Sequence, residues 1–118
     1  MGLTAGICEI RGVQPAPLSH LGTPAVLVDR DRLLANLDRL QTIAEARGVR
    51  LRPHVKTHKS LEIGRLQLER GAVGITASKV DEALVFIENG FPSVTVAYPL
   101  VDGRKVDRLL AARDPAPH

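Results

Sequence analysis

Tryptophan is absent from this 118-residue sequence, cysteine occurs once, at Cys8, and the aromatic side chains are limited to Phe86, Phe91 and Tyr98. A lone cysteine excludes an internal disulfide, and nothing here requires an oxidising compartment, so the cytoplasm is the expected location. With so few aromatic faces the chain lacks the stacking platforms of single-stranded nucleic-acid binders. The formal charge of +3 does not restore that reading, because Lys and Arg are interleaved with Asp and Glu instead of forming a basic stripe. No nucleic-acid partner is expected. No apolar run approaches the ~20 residues that cross a bilayer, and the N-terminus lacks the basic region and apolar core of a secretory leader. No membrane partner is expected either. Neither GxGxxG nor GxxxxGK[ST] occurs, which removes the usual glycine-rich nucleotide cradles.

What is present is an aliphatic α/β pattern. Residues 1–22 hold Gly2, Gly6, Gly12, Pro15, Pro17 and Gly22 without a sustained apolar period and read as an extended lead-in. Ala25–Val28 is a β-prone run. Asp29 or Asp31 then caps a helix whose apolar positions Leu33, Leu34, Leu37, Leu40, Ile43 and Ala44 recur at helical spacing, and Gly48 ends it. A strand over Val49–Lys56, a helix from Ser60 to Arg70 stopped by Gly71, and a strand over Ala72–Ala77 follow. Ser78 is the expected N-cap of a helix running to Asn89 and Gly90, with Asp81 at its third position. Val94–Tyr98 is the next strand and Asp102–Ala112 the next helix.

Strand starts about 22 residues apart are the cadence of βα units, which predicts parallel strands with helical crossovers. Three such units begin either an open doubly wound sheet or a closed (β/α)8 barrel, and periodicity alone does not separate the two. A barrel needs ~250 residues, so an incomplete sheet is expected, with more chain to follow the Asp114-Pro-Ala-Pro-His118 tail.

The segment with chemistry in it is Leu51-Arg-Pro-His-Val-Lys-Thr-His-Lys-Ser60. It lies at the C-terminal end of an expected strand, the side on which parallel α/β folds place their sites. Strand alternation assigns Arg52, His54 and Lys56 to one face and Pro53 and Val55 to the other. A lysine beside other cations is suited to attack on an aldehyde, since both crowding by charge and desolvation favour its free amine. The same residues also fit a solvated basic turn. His54 and His58 stand four apart, but Pro53 argues against a helix and His-Val-Lys-Thr-His lacks the glutamate of the zinc-protease motif, so no metal is expected on them. Tyr98 ends a later strand and is a candidate for the same mouth. Thr76 and Ser78 are weaker candidates, and Glu82 reads as a helix-face charge.

Arg52-Pro-His-Val-Lys-Thr-His-Lys59 resembles the signature of the D-threonine aldolase and D-serine dehydratase family, whose N-terminal region is the alanine-racemase-type barrel that binds pyridoxal 5'-phosphate. The likeness extends to Thr23-Pro-Ala-Val-Leu-Val-Asp29, Gly71-Ala-Val-Gly-Ile75 and Val96-Ala-Tyr-Pro-Leu100. The resemblance implies the first three βα units of a (β/α)8 barrel over residues 23–118. It implies Lys56 as the Schiff-base lysine, with His54, Arg52 and Tyr98 near the cofactor, and Lys59 only at a helix entrance. The activity implied is that of a lyase on D-hydroxy amino acids. It further implies a divalent metal, zinc or manganese, held by a C-terminal region, and a homodimer, both in a full-length protein. The other readings of the chain are a non-catalytic remnant and a relative of amino-acid racemases or of pyridoxal-phosphate homeostasis proteins.

Overall fold

A computed structural model describes residues 18–113. Most of the expected lead-in, Cys8 and the 114–118 tail lie outside the described residues. A short 3₁₀ turn, Leu18–His20, precedes a stretch that holds no regular strand at 25–28. Val26 stands 94% exposed there, so the β-prone run is not paired into the sheet among the described residues, contrary to expectation.

Helix α1 spans Arg30–Ala46, and the Asp29 carboxylate accepts from the Arg32 amide at 3.0 Å, satisfying one of the donors a helix start leaves open. Past its end Gly48 takes φ 65°, the left-handed conformation that glycine adopts without steric cost. Residues 51–54 then run extended, and Val55–Thr57 form a 3₁₀ turn. Helix α2 covers Leu61–Glu69 with Ser60 as its cap, the Ser60 hydroxyl accepting from the Ile63 amide at 3.2 Å. Strand β1 is Ile75–Ala77, α3 is Val80–Glu88, β2 is Val94–Val96 and α4 is Gly103–Arg113.

The strands are parallel, with Ile75, Thr76 and Ala77 opposite Val94, Thr95 and Val96. On the other side of β1, His54 bridges Thr76, the Thr76 amide donates to the Pro53 carbonyl at 2.7 Å, and Val73 donates to Leu51 at 2.9 Å. The expected cadence thus becomes three neighbouring extended segments in sequence order. The expected strand over 49–56 is shorter than anticipated and stops at His54, because the next residues turn into the 3₁₀ helix.

Alternation along β1 buries Ile75 and Ala77 while Thr76 faces the other way, its hydroxyl donating to the Arg52 carbonyl at 3.2 Å. The buried face meets α3. Val55, Ile75, Ala77, Ala83, Phe86 and Phe91 form the core cluster, with Leu61, Leu68, Val94, Val96 and Leu109 packed around it. Phe86 and Phe91 meet edge to face, ring centres 4.9 Å apart at 87°, the geometry their quadrupoles favour. Gly64 lets α2 approach these rings: a Cβ there would lie 2.9 Å from the Phe91 ring. The α/β reading therefore holds, with the core between sheet and helices.

Candidate functional site

Everything at the C-terminal end of the 51–54 segment follows from how that segment stops. Val55 is fully buried in the core, which anchors the chain just beyond His54. The His54 imidazole Nδ1 accepts from the Lys56 amide at 3.2 Å, so a side chain takes the donor that would otherwise seek a strand partner, and the 3₁₀ turn begins. With Val55 held inward, Lys56 faces solvent. Its ammonium has no hydrogen bond or ion pair with any described residue. The expected sharing of one face by Arg52, His54 and Lys56 is not realised, since alternation ends at the turn.

The turn closes with two amides, of His58 and Lys59, donating to the Val55 carbonyl at 3.2 and 2.8 Å. Lys59 occupies φ 49°, a left-handed conformation uncommon for a side-chain-bearing residue, directly before the Ser60 cap of α2. His58 Nδ1 accepts from the Ser60 amide at 3.1 Å. An imidazole therefore caps the backbone at each end of the turn that presents Lys56.

Arg52 lies elsewhere. Its guanidinium donates to the Ser93 carbonyl at 3.3 Å and, at 3.5 Å, to that of Ile75, joining the N-terminal ends of β1 and β2 on the far side from the turn. Tyr98 follows the C-terminal end of β2, the same end as Lys56, but stands 57% exposed and not in a packed pocket. Thr76 is committed to the Arg52 carbonyl. The structure brings His54, Lys56, His58 and Lys59 together and leaves Arg52 apart from them.

Helix α3 starts one residue later than expected, with Lys79 as the capping position and no side-chain cap bond. Ser78 instead turns to Glu82: its hydroxyl donates to Glu82 Oε2 at 2.6 Å and its amide to the same oxygen at 3.1 Å. Glu82 is thus more than a surface charge. Burial pushes its carboxyl up, but the two Ser78 bonds and the charges of Lys59 and His54 outweigh that, and the group sits below the usual glutamate value. The signal that pointed to it was present: a serine four residues before a glutamate at a helix start, one position out of the usual capping frame.

Burial pushes the His58 imidazole below its ordinary value of 6.5, and the Glu82 carboxylate offsets only part of that. The folded chain therefore binds fewer protons at His58 than the unfolded chain in the range just below 6.5. This stability is present above the unfolded value and is lost as pH falls through the folded one. Acidification from pH 7 is expected to lower the thermal midpoint, with a shallower slope in His58→Gln. An unchanged slope in that variant would remove His58 as the cause.

Residues 28–114 match the family model of the alanine racemase N-terminal domain. The chain is 43% identical over 87 residues to D-threo-3-hydroxyaspartate dehydratase of Delftia sp. (strain HT23), covering 74% of this chain and 23% of that protein. It is 38% identical over 104 residues to D-threonine aldolase of Arthrobacter sp, covering 82% and 27%. With D-serine dehydratase of Dictyostelium discoideum it shares 33% over 95 residues, covering 76% and 24%. The crystal structure of D-threonine aldolase from Filomicrobium marinum superposes with a TM-score of 0.77 at 36% identity, over 80% of this chain and 26% of that one. The chain thus spans about a quarter of the length of the relatives it matches. By the family model, by these relatives and by the superposition, the chain belongs to the alanine racemase N-terminal domain family.

Proposed function

We propose that this chain carries the cofactor lysine of a pyridoxal-phosphate-dependent lyase acting on D-amino acids with a β-hydroxyl group, and that the lysine is Lys56. The observation behind this reading is the placement of Lys56: a primary amine facing solvent, unpaired among the described residues, on a turn held at both ends, at the C-terminal end of a parallel sheet. Its relatives point the same way. D-threonine, D-serine and D-threo-3-hydroxyaspartate, the substrates in their names, are all D-amino acids with a hydroxyl on Cβ.

The residues present fit the cofactor's aldehyde, since Lys56 offers an amine that no carboxylate among the described residues holds. When bound, the pyridine ring supplies a sink for electrons released at the substrate Cα. The chain's own part is to present and orient. Val55 fixes the turn in the core, His54 holds the Lys56 backbone, and Lys59 adds positive charge favourable to a phosphate-bearing ligand. Tyr98 follows the same end of the sheet, and the proposal assigns it to the border of the ligand. The fit to a divalent metal is different: among the described residues no group of three or more His, Cys, Asp or Glu side chains converges, so no step is assigned to one.

The helices among the described residues include none long and apolar enough to cross a membrane. The cytoplasm and a homodimeric full-length protein complete the proposal. Reducing the whole 118-residue chain with borohydride in the presence of pyridoxal phosphate, then mapping the pyridoxyl group by peptide mass spectrometry, tests it. The label is expected on Lys56 ahead of the other lysines, and equal labelling of Lys56, Lys79 and Lys105 would overturn the assignment.

A further inference from the structure

Two buried polar atoms near the Lys56 turn have no hydrogen-bond partner among the described residues, and they are complementary. One is His58 Nε2 and the other is Glu82 Oε1. The Ser60 amide donates to His58 Nδ1, so that nitrogen carries a lone pair and the neutral imidazole keeps its proton on Nε2. Glu82 spends Oε2 on both Ser78 donors and has Oε1 left to accept. A donor and an acceptor are therefore left over on two elements that meet at the sheet's C-terminal end. Val55 of the turn shares one core cluster with Ala83 and Phe86 of α3, which brings the turn and the start of that helix together.

We propose that His58 and Glu82 form a positioning pair, His58 Nε2–H donating to one water that donates in turn to Glu82 Oε1, and that the pair ties the turn bearing Lys56 to the start of α3. A second observation calls for such a tie. Lys59 holds φ 49°, and a side-chain-bearing residue stays in that region only when its surroundings over-determine it. The closing carbonyl of Val55, the Ser60 cap and the imidazole bond to Ser60 hold the turn from its own segment. From α3 the apolar side chains Ala83 and Phe86 share the core with Val55, and Glu82 offers the polar contact. The pair thus joins Ser60, His58, Glu82 and Ser78 into one chain of hydrogen bonds from α2 to α3, beside a turn whose lysine amine makes no hydrogen bond to a described residue.

The consequence for Lys56 rests on the cofactor reading above, whereas the pair itself does not. Two readouts on the ¹⁵N-labelled full chain keep them distinct. The first is the imidazole ¹H–¹⁵N spectrum, in which His58 is expected as the Nε2–H tautomer with a slowly exchanging proton. That proton is expected to exchange rapidly in Glu82→Ala and to persist in Glu82→Gln, whose amide oxygen still accepts. The second is pyridoxyl labelling of Lys56 under borohydride, relative to Lys105 on α4. Loss of a hydrogen bond to a charged group corresponds to a drop of about tenfold in Glu82→Ala, with recovery in Glu82→Gln. A slowly exchanging His58 proton and full Lys56 labelling in Glu82→Ala would overturn the pair. If the unsubstituted chain does not label Lys56 preferentially while the His58 proton responds to Glu82→Ala as stated, the cofactor reading falls and the pair stands.

Discussion

Replacing Lys56 by alanine is expected to abolish the preferential pyridoxyl adduct while leaving the urea midpoint of the chain almost unmoved. The two halves of that expectation have separate grounds. Lys56 is exposed and its ammonium pairs with no described residue, so truncating it removes no hydrogen bond or ion pair to one, and exposed substitutions of this kind stay within about 0.5 kcal/mol. Its backbone bond to His54 survives any side chain except proline. The remaining lysines do not replace it. Lys59 stands in the field of the Glu82 carboxylate, Lys79 lies at the start of α3, and Lys105 is on exposed α4. A Lys56→Ala chain that still carries one dominant adduct, on Lys59, would move the cofactor lysine three residues along. A large drop in midpoint would instead show that Lys56 is structural.

Gly74→Ala is expected to have the largest effect on stability, roughly 3–5 kcal/mol, from combined backbone strain and overpacking. Gly74 takes φ 156°, and a Cβ built there would lie 2.5 Å from the Ser93 carbonyl oxygen and would collide with the Arg52 guanidinium. The Arg52 side chain can swing aside, but the Ser93 backbone carbonyl is not free to withdraw. The Ser93 carbonyl accepts from the Ile75 amide at 3.0 Å and from Arg52 at 3.3 Å, so moving it breaks the start of the β1–β2 pairing. Domains are stable by only about 5–15 kcal/mol, so the loss is expected to appear as a large fall in urea midpoint. Gly103→Ala is the control, because nothing lies within 4 Å of a Cβ there. A Gly74→Ala loss below about 1 kcal/mol would mean that this corner of the sheet relaxes far more readily than close packing allows.

Local rules were enough to read the helices. The Asp29 and Ser60 caps and the terminating Gly48 act through atoms within a few residues, so short-range sequence carries their signal. The order of parallel strands was legible for a similar reason, from regular spacing. What escaped depends on distant partners. Ala25–Val28 has strand propensity but no described strand beside it, and propensity alone does not pair a chain. Alternation assigns Arg52 to the face of Lys56, yet its guanidinium satisfies a carbonyl 41 positions away, and no local pattern announces that. The end of the first extended segment was set by an imidazole nitrogen competing for the Lys56 amide, an interaction that strand periodicity does not register. Glu82 was undervalued because the helix starts at Val80, one residue off the capping frame that would have singled it out.

The sheet has a directional property that follows from its strand order. Residues 51–54 lie beside β1 and β1 beside β2, so each extended segment pairs with the one made just before it. Chain synthesis and sheet growth therefore run in the same sense. Among the described residues β1 and β2 each meet a finished neighbour as soon as the connecting helix is complete. Among the described residues no strand lies on the far side of β2. For a nascent chain this makes assembly vectorial: the turn bearing Lys56 is set against β1 before β2 and α4 have been made.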